Sequence, residues 1–153
     1  MKKNLSIAIG SDHAGFYIKQ DIVSYLQEKK YNFHDFGTYS EEATDYPDYA
    51  HPVASLVESG KFDFGIVICG TGNGVNMVVN KYRGIRAALC WKKEIASIVR
   101  RHNDANICAL PGRHLKKEEA IEIVKEFLNN EFEGGRHLRR IGKINLRGEC
   151  EKT

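Results

Sequence analysis

The stretch GIVICGTGNGVN, residues 65–76, runs an apolar segment into three alternating glycines, with a thiol, Cys69, at the junction. Gly70, Gly72 and Gly74 supply backbone N–H groups where a helix begins, an arrangement suited to a developing oxyanion or a small phosphate. A helix N-terminus favours nearby negative charge, so a thiolate at Cys69 could serve as nucleophile or base. The plainer alternative is a small apolar residue closing a strand. SDHAG sets Asp12 beside His13, a carboxylate next to an imidazole. RRHNDAN ends a helical stretch with His102 and Asn103, types that also suit ordinary helix ends. GGRHLRR carries Arg136 and Arg140 four apart, hence on one helix face. That face is either solvated or a pair of guanidiniums gripping one phosphate.

The glycine loop fits neither familiar nucleotide motif. A dinucleotide fingerprint follows the first strand as G-x-G-x-x-G, and that turn here reads GSDHAG. The loop after residue 69 also lacks the G-K-[ST] ending of a P-loop, which argues against a nucleoside triphosphate.

Short β-rich runs alternate with helical ones along the whole chain. LSIAIG, YNFHDFG, FDFGIVICG, IRAALCW and NICALPG read as five strands. Helices are expected at 15–30, where Ile18, Ile22, Val23 and Leu26 keep helical spacing, and at 48–59, 72–82, 93–103 and 116–132. Pro47 signals the start of the second of these, with Pro52 in its first turn, and Tyr46 lies in the polar loop before it. A last helical segment follows Gly134–Gly135. Such alternation predicts a five-stranded parallel sheet covered on both faces, a Rossmann-like three-layer α/β sandwich. Ligands then bind outside the carboxyl ends of the strands, which points to Asp12–His13 and to Cys69–Gly74.

A chain of 153 residues with 42% apolar and 28% charged residues suits one soluble domain, taken as 1–153. No apolar run approaches a membrane span of roughly 20 residues. The opening MKKNLSIAIGSDHAG breaks at Gly10–His13, so it reads as a first strand rather than a secretory signal, and the protein as cytoplasmic. Four cysteines, Cys69, Cys90, Cys108 and Cys150, form no C-x-x-C pair, which argues against structural disulfides and a zinc site. The net charge of +3 does not imply nucleic acid. Residues 134–153 are nonetheless basic, with Arg136, Arg139, Arg140, Lys143, Arg147 and Lys152 against Glu149 and Glu151.

GSDHAG, TDYPDYA, GIVICGTGNG, GIRAALC, RRHNDANI and EFEGGRHLRRI together resemble the type B ribose-5-phosphate isomerase family, which includes allose- and galactose-6-phosphate isomerases. The resemblance spans nearly the whole chain. It implies a Rossmann-like sandwich and a homodimer, sometimes a tetramer, with active sites between subunits. The segment from about 135 would pack on the partner. No metal or organic cofactor is implied, and no nucleic acid or membrane partner.

By the same resemblance Cys69 is the base, and the amides of Gly70 to Gly74 stabilise a cis-enediolate while Thr71 shuttles protons. His102 opens the furanose ring with Asp12 cooperating, and Tyr46 and Asn103 contact sugar hydroxyls. His13, Arg113, Arg136 and Arg140 hold the phosphate, with Arg113 and the C-terminal arginines contributed across the dimer. One branch of the family uses a glutamate in the loop instead of the cysteine; Val75 and its neighbours offer no carboxylate here. Asn73 reads as the cap of the following helix, or as a donor to a substrate oxygen.

The expected activity is interconversion of ribose 5-phosphate and ribulose 5-phosphate in the pentose phosphate pathway. Allose or galactose 6-phosphate is the alternative substrate, and a sugar-phosphate sensor the non-enzymatic one. A hydride shift would call for a metal, and the sequence shows no local ligand cluster.

Overall fold

The β3 run Phe64–Cys69 is buried at all six positions, and this sets the architecture around it. A strand covered on both faces must lie inside a sheet with layers above and below. The computed structural model describes residues 4–146, so Arg147, Cys150 and Lys152 of the basic tail lie outside the described residues. The strands are β1 (Ser6–Ser11), β2 (Asn32–Asp35), β3, β4 (Ala87–Leu89) and β5 (Ile107–Pro111). The helices are α1 (Phe16–Glu28), α2 (Tyr46–Glu58), α3 (Asn73–Val79), α4 (Lys93–Asn103), α5 (Lys117–Asn129) and α6 (Arg136–Ile141).

All strand pairs are parallel, in the order β2-β1-β3-β5-β4. Side chains alternate across the sheet with the two-residue period of a strand. Ile7, Ile9, Phe64, Ile66, Ile68, Cys108 and Leu110 meet α1, α4 and α5 on one face. Ala8, Val67, Cys69, Ile107 and Ala109 meet α2 and α3 on the other. From β1 the chain leaves toward β2, and from β3 it leaves the opposite way toward β4. The carboxyl ends of β1 and β3 therefore flank a topological switch point, where such sheets open a crevice.

The five-stranded α/β sandwich is as the sequence predicts. One local expectation is corrected. Helix α2 begins at Tyr46, so Pro47 occupies its second position and Pro52 lies inside the helix rather than in its first turn. Pro52 has no N–H for the carbonyl of Asp48, and the helix tolerates this because that turn is exposed to water. Lys19 of α1 is 1% exposed. Its ammonium donates to Asp35 Oδ2 at 2.6 Å and lies 5.4 Å from the Tyr39 ring, which pays for its burial.

Among the described residues no helix is long and apolar enough to cross a membrane.

Candidate active site at the carboxyl edge of the sheet

Two loops meet at the switch point. Strand β1 ends in Ser11, and Asp12 then caps a 3-10 turn over His13–Gly15, its Oδ1 accepting from the Gly15 N–H at 3.1 Å. Strand β3 ends in Cys69, 5% exposed, whose side chain closes the apolar layer facing α2 and α3. The thiol thus lies at the carboxyl end of β3, at the last position before the glycine loop.

The loop is built around Gly72. Its φ of +74° is a left-handed conformation, and a Cβ there would stand 2.4 Å from Leu89 Cδ1 and 2.9 Å from the Leu110 carbonyl carbon. At Gly74 a Cβ would fall 2.7 Å from the Tyr46 ring, so a missing side chain lets Tyr46 lie directly on the cradle. Thr71 Oγ1 accepts from the Asn73 N–H at 3.3 Å. Asn73 is therefore the first helical residue and Gly72 the cap; the expected side-chain cap by Asn73 does not form, because Thr71 supplies the oxygen.

His13 is held by a partner that the sequence did not reveal. The Thr44 N–H, in the polar loop before α2, donates to His13 Nδ1 at 3.1 Å. With that lone pair engaged, the neutral ring carries its proton on Nε2.

Arg113 corrects a sequence expectation. Its N–H donates to the Gly70 carbonyl at 3.1 Å, and its Cδ and Nη1 would meet a Gly70 Cβ at 3.4 and 3.5 Å. It belongs to the cradle of its own chain, because β5 lies beside β3 and Pro111 pairs with Cys69. Asp12, His13, Tyr46, Cys69–Gly74 and Arg113 are thus brought together.

His102, Asn103, Arg136 and Arg140 are not. Helix α4 joins two parallel strands, so it runs back against them and ends at the amino edge. There the Asn103 carbonyl accepts from Arg86 Nε at 3.0 Å, just before β4. Four residue steps along β5 separate that edge from the Cys69 level, about 13 Å at ~3.3 Å per residue. Asp12 and His102 of the same chain therefore stand too far apart to act on one substrate. Helix α6 packs beside the end of its own α4, where the His137 ring stacks on His102 with centroids 4.2 Å apart and planes at 11°.

Glu133 joins that second group. Its Oε2 lies 3.8 Å from Nε2 of both His102 and His137, and its Oε1 accepts from Arg101 Nε at 2.7 Å. The ligand-type atoms of His102, Glu133 and His137 fall within 4.8 Å of one another. Parallel rings direct their in-plane lone pairs side by side, so one ion cannot lie in both planes, and Arg101 already engages the carboxylate. This group is not preformed for a metal. Its only sequence signal was EGGRH, with a glutamate and a histidine four apart.

The fold and the crevice define a class: a doubly wound α/β protein with a thiol and an amide cradle at its switch point. A family profile described as Ribose/Galactose Isomerase matches residues 7–144. The chain is 46% identical to ribose-5-phosphate isomerase B of Escherichia coli, over 94% of this chain and 95% of that one. It superposes on a ribose 5-phosphate isomerase structure from Thermotoga maritima with a TM-score of 0.89, at 52% identity, covering 91% of this chain and 96% of that one. A Mycoplasma genitalium ribose-5-phosphate isomerase B structure, solved with bound ribulose 5-phosphate, gives 0.87 at 44% identity, covering 92% and 93%. The chain belongs to the ribose/galactose isomerase family, and the resemblance to its type B ribose-5-phosphate isomerases holds.

Proposed function

We propose that this protein is an aldose–ketose isomerase interconverting ribose 5-phosphate and ribulose 5-phosphate by proton transfer. The observation that carries this reading is Cys69 at the carboxyl end of β3, beside the switch point and immediately before the glycine loop. The relatives named above act as support for the substrate.

In the open aldose, Cys69 takes the C2 proton while the amides of Gly70 to Gly74 face the enediolate oxygen. Thr71 passes a proton between O2 and O1, and the proton on sulfur returns to C1. Atoms and charge balance with no external reductant. His13, as an Nε2–H donor, and Arg113 bind the phosphate, and Tyr46 meets a sugar hydroxyl.

The remaining groups come from a second copy. His102 and Asn103 handle ring opening and a hydroxyl, and Arg136 and Arg140 complete the phosphate clamp from the neighbouring subunit. Their position at the amino edge of their own sheet supports this, as do the exposed apolar side chains of Trp91, Ile95, Ile98 and Leu138 near α4 and α6. The working unit is then a homodimer.

Incubation with ribose 5-phosphate in D2O, followed by NMR, tests the reading. Ribulose 5-phosphate carrying solvent deuterium is expected. Conversion without exchange would replace proton transfer by hydride transfer, and faster turnover of allose or galactose 6-phosphate would reassign the substrate.

A further inference from the structure

Glu133 and His137 have no part in the site just described, yet they enclose one of its members. The Glu133 N–H donates to the Arg101 carbonyl at 3.0 Å, and its carboxylate takes the Arg101 guanidinium through Nε at 2.7 Å and Nη2 at 2.5 Å. This fixes the carboxylate across the last turn of α4. Its second oxygen stands 3.8 Å from Nε2 of His102 and of His137. That is too long for a hydrogen bond but close for a charge interaction. His137 is 8% exposed and covers one face of the His102 ring, whose own side chain is 35% exposed.

We infer that Glu133 and His137 are positioning residues for His102, the first as counter-charge and the second as a stacked plate that sets the ring plane. The inference rests on the isomerase reading above. Opening a furanose takes the proton from the anomeric hydroxyl, breaks the bond between C1 and the ring oxygen, and delivers a proton to that oxygen. An imidazole serving either transfer becomes an imidazolium for part of the cycle, and a fixed carboxylate beside it stabilises that form, as in hydrolase triads. Two stacked imidazoles cannot both be cationic at low cost, so the plate must stay neutral. Burial pushes His137 down, and the charges of His102, Arg136 and Arg140 push the same way against Glu133. His102 is then the ring of the pair left to exchange protons with the sugar.

The experiment compares two reactions of the full-length protein. Turnover of ribose 5-phosphate includes ring opening. Washout of a C1 deuterium from ribulose 5-phosphate does not, because O5 is esterified and the ketose cannot close a five-membered ring. Glu133→Gln and His137→Ala are expected to lower kcat on ribose 5-phosphate by roughly 10- to 100-fold, the usual scale for a lost orienting partner. Washout should stay near the wild-type rate, and His137→Phe, which keeps a flat neutral ring, should recover most of the kcat. Arg136→Ala is the reference for a damaged clamp, raising KM in both reactions. Variants that lose washout and turnover together, or that copy the KM pattern of Arg136→Ala, would overturn the inference by showing that α6 only carries arginines. A wild-type protein that performs neither reaction would instead remove the isomerase reading itself.

Discussion

The Thr44 N–H donates to His13 Nδ1 at 3.1 Å, tying the loop before α2 to the turn after β1. This bond leaves Nε2–H as the donor of the neutral His13 ring, the proton a phosphate oxygen would accept. Hydrogen bonds to charged groups contribute about 1.5–3 kcal/mol, so His13→Ala should raise KM for the sugar phosphate by roughly 10- to 100-fold with kcat little changed. His13→Gln places an amide N–H near the Nε2 position and should recover part of the loss. Steady-state kinetics on the three proteins checks this, and a fall in kcat alone would remove His13 from the phosphate site.

Cys69 is the last residue of β3, at the carboxyl edge of the sheet. Cys69→Ala preserves the apolar layer and removes the base. General-base catalysis contributes about 10²- to 10⁴-fold, so kcat should fall by at least ~100-fold while the affinity for inorganic phosphate is unchanged. Calorimetric titration with phosphate separates the two effects. Retained turnover in Cys69→Ala would transfer the base role elsewhere.

Much of this was legible in the sequence, and the misses have physical causes. The continuous apolar run at Phe64–Cys69 and the glycine loop after it predicted a buried central strand with a ligand at its carboxyl end, because a two-sided strand has few other solutions. The opposite placement of His102 was also encoded, though less directly. A helix joining parallel strands must return the chain to the amino edge, so its last turn cannot share the level of Cys69. Lys19 was not legible, since its burial depends on Asp35 of β2, sixteen residues away. Thr44 was missed for a related reason: its contribution is a backbone N–H, which any residue except proline could supply.

Separation of Cys69 and His102 within one chain makes a complementation test decisive for the shared site. Cys69→Ala and His102→Ala homodimers should each be nearly inactive on ribose 5-phosphate. Unfolding and refolding them together produces hybrids in which one of the two sites has both residues intact. With random pairing about half the dimers are hybrids, so roughly a quarter of wild-type activity should return. A mixture no more active than its parents would place both residues in the same subunit's site.

The Lys19–Asp35 pair should respond asymmetrically to substitution. Asp35→Ala strands an ammonium that is 1% exposed and also frees the Gly37 N–H, which Asp35 Oδ1 accepts at 2.9 Å. Breaking a buried pair this way costs about 3–5 kcal/mol, and less here because Asp35 is partly hydrated; a loss of about 3 kcal/mol is expected. Lys19→Met keeps the apolar stem and leaves a carboxylate that water can reach, so its loss should be about 1 kcal/mol. Urea denaturation of the two variants checks the order, and equal losses would mean that the ammonium is solvated.

Acid should release α6 from α4 before the domain unfolds. The Arg101 hydrogen bond beside Glu133 holds its carboxyl below the usual carboxylate range, with burial opposing and the charges of Arg101, His102 and His137 adding. His137 is lowered as well, chiefly by burial and then by His102 and Arg136. For both groups the detached segment binds protons more readily than the docked one, so docking gains stability as pH rises. The contribution is complete above the ordinary histidine value of about 6.5. It declines as pH falls through that value for His137, then through the ordinary carboxylate range toward the depressed value of Glu133. Amide resonances of His137 and Leu138 should shift toward disordered positions over this window while those of Ile66 and Val67 in β3 stay fixed. In Glu133→Gln the lower, carboxylate part of the shift should vanish, leaving only the histidine step. Resonances of α6 that do not move between pH 7.5 and 4 would mean that the Glu133–Arg101 contact does not hold the helix in place.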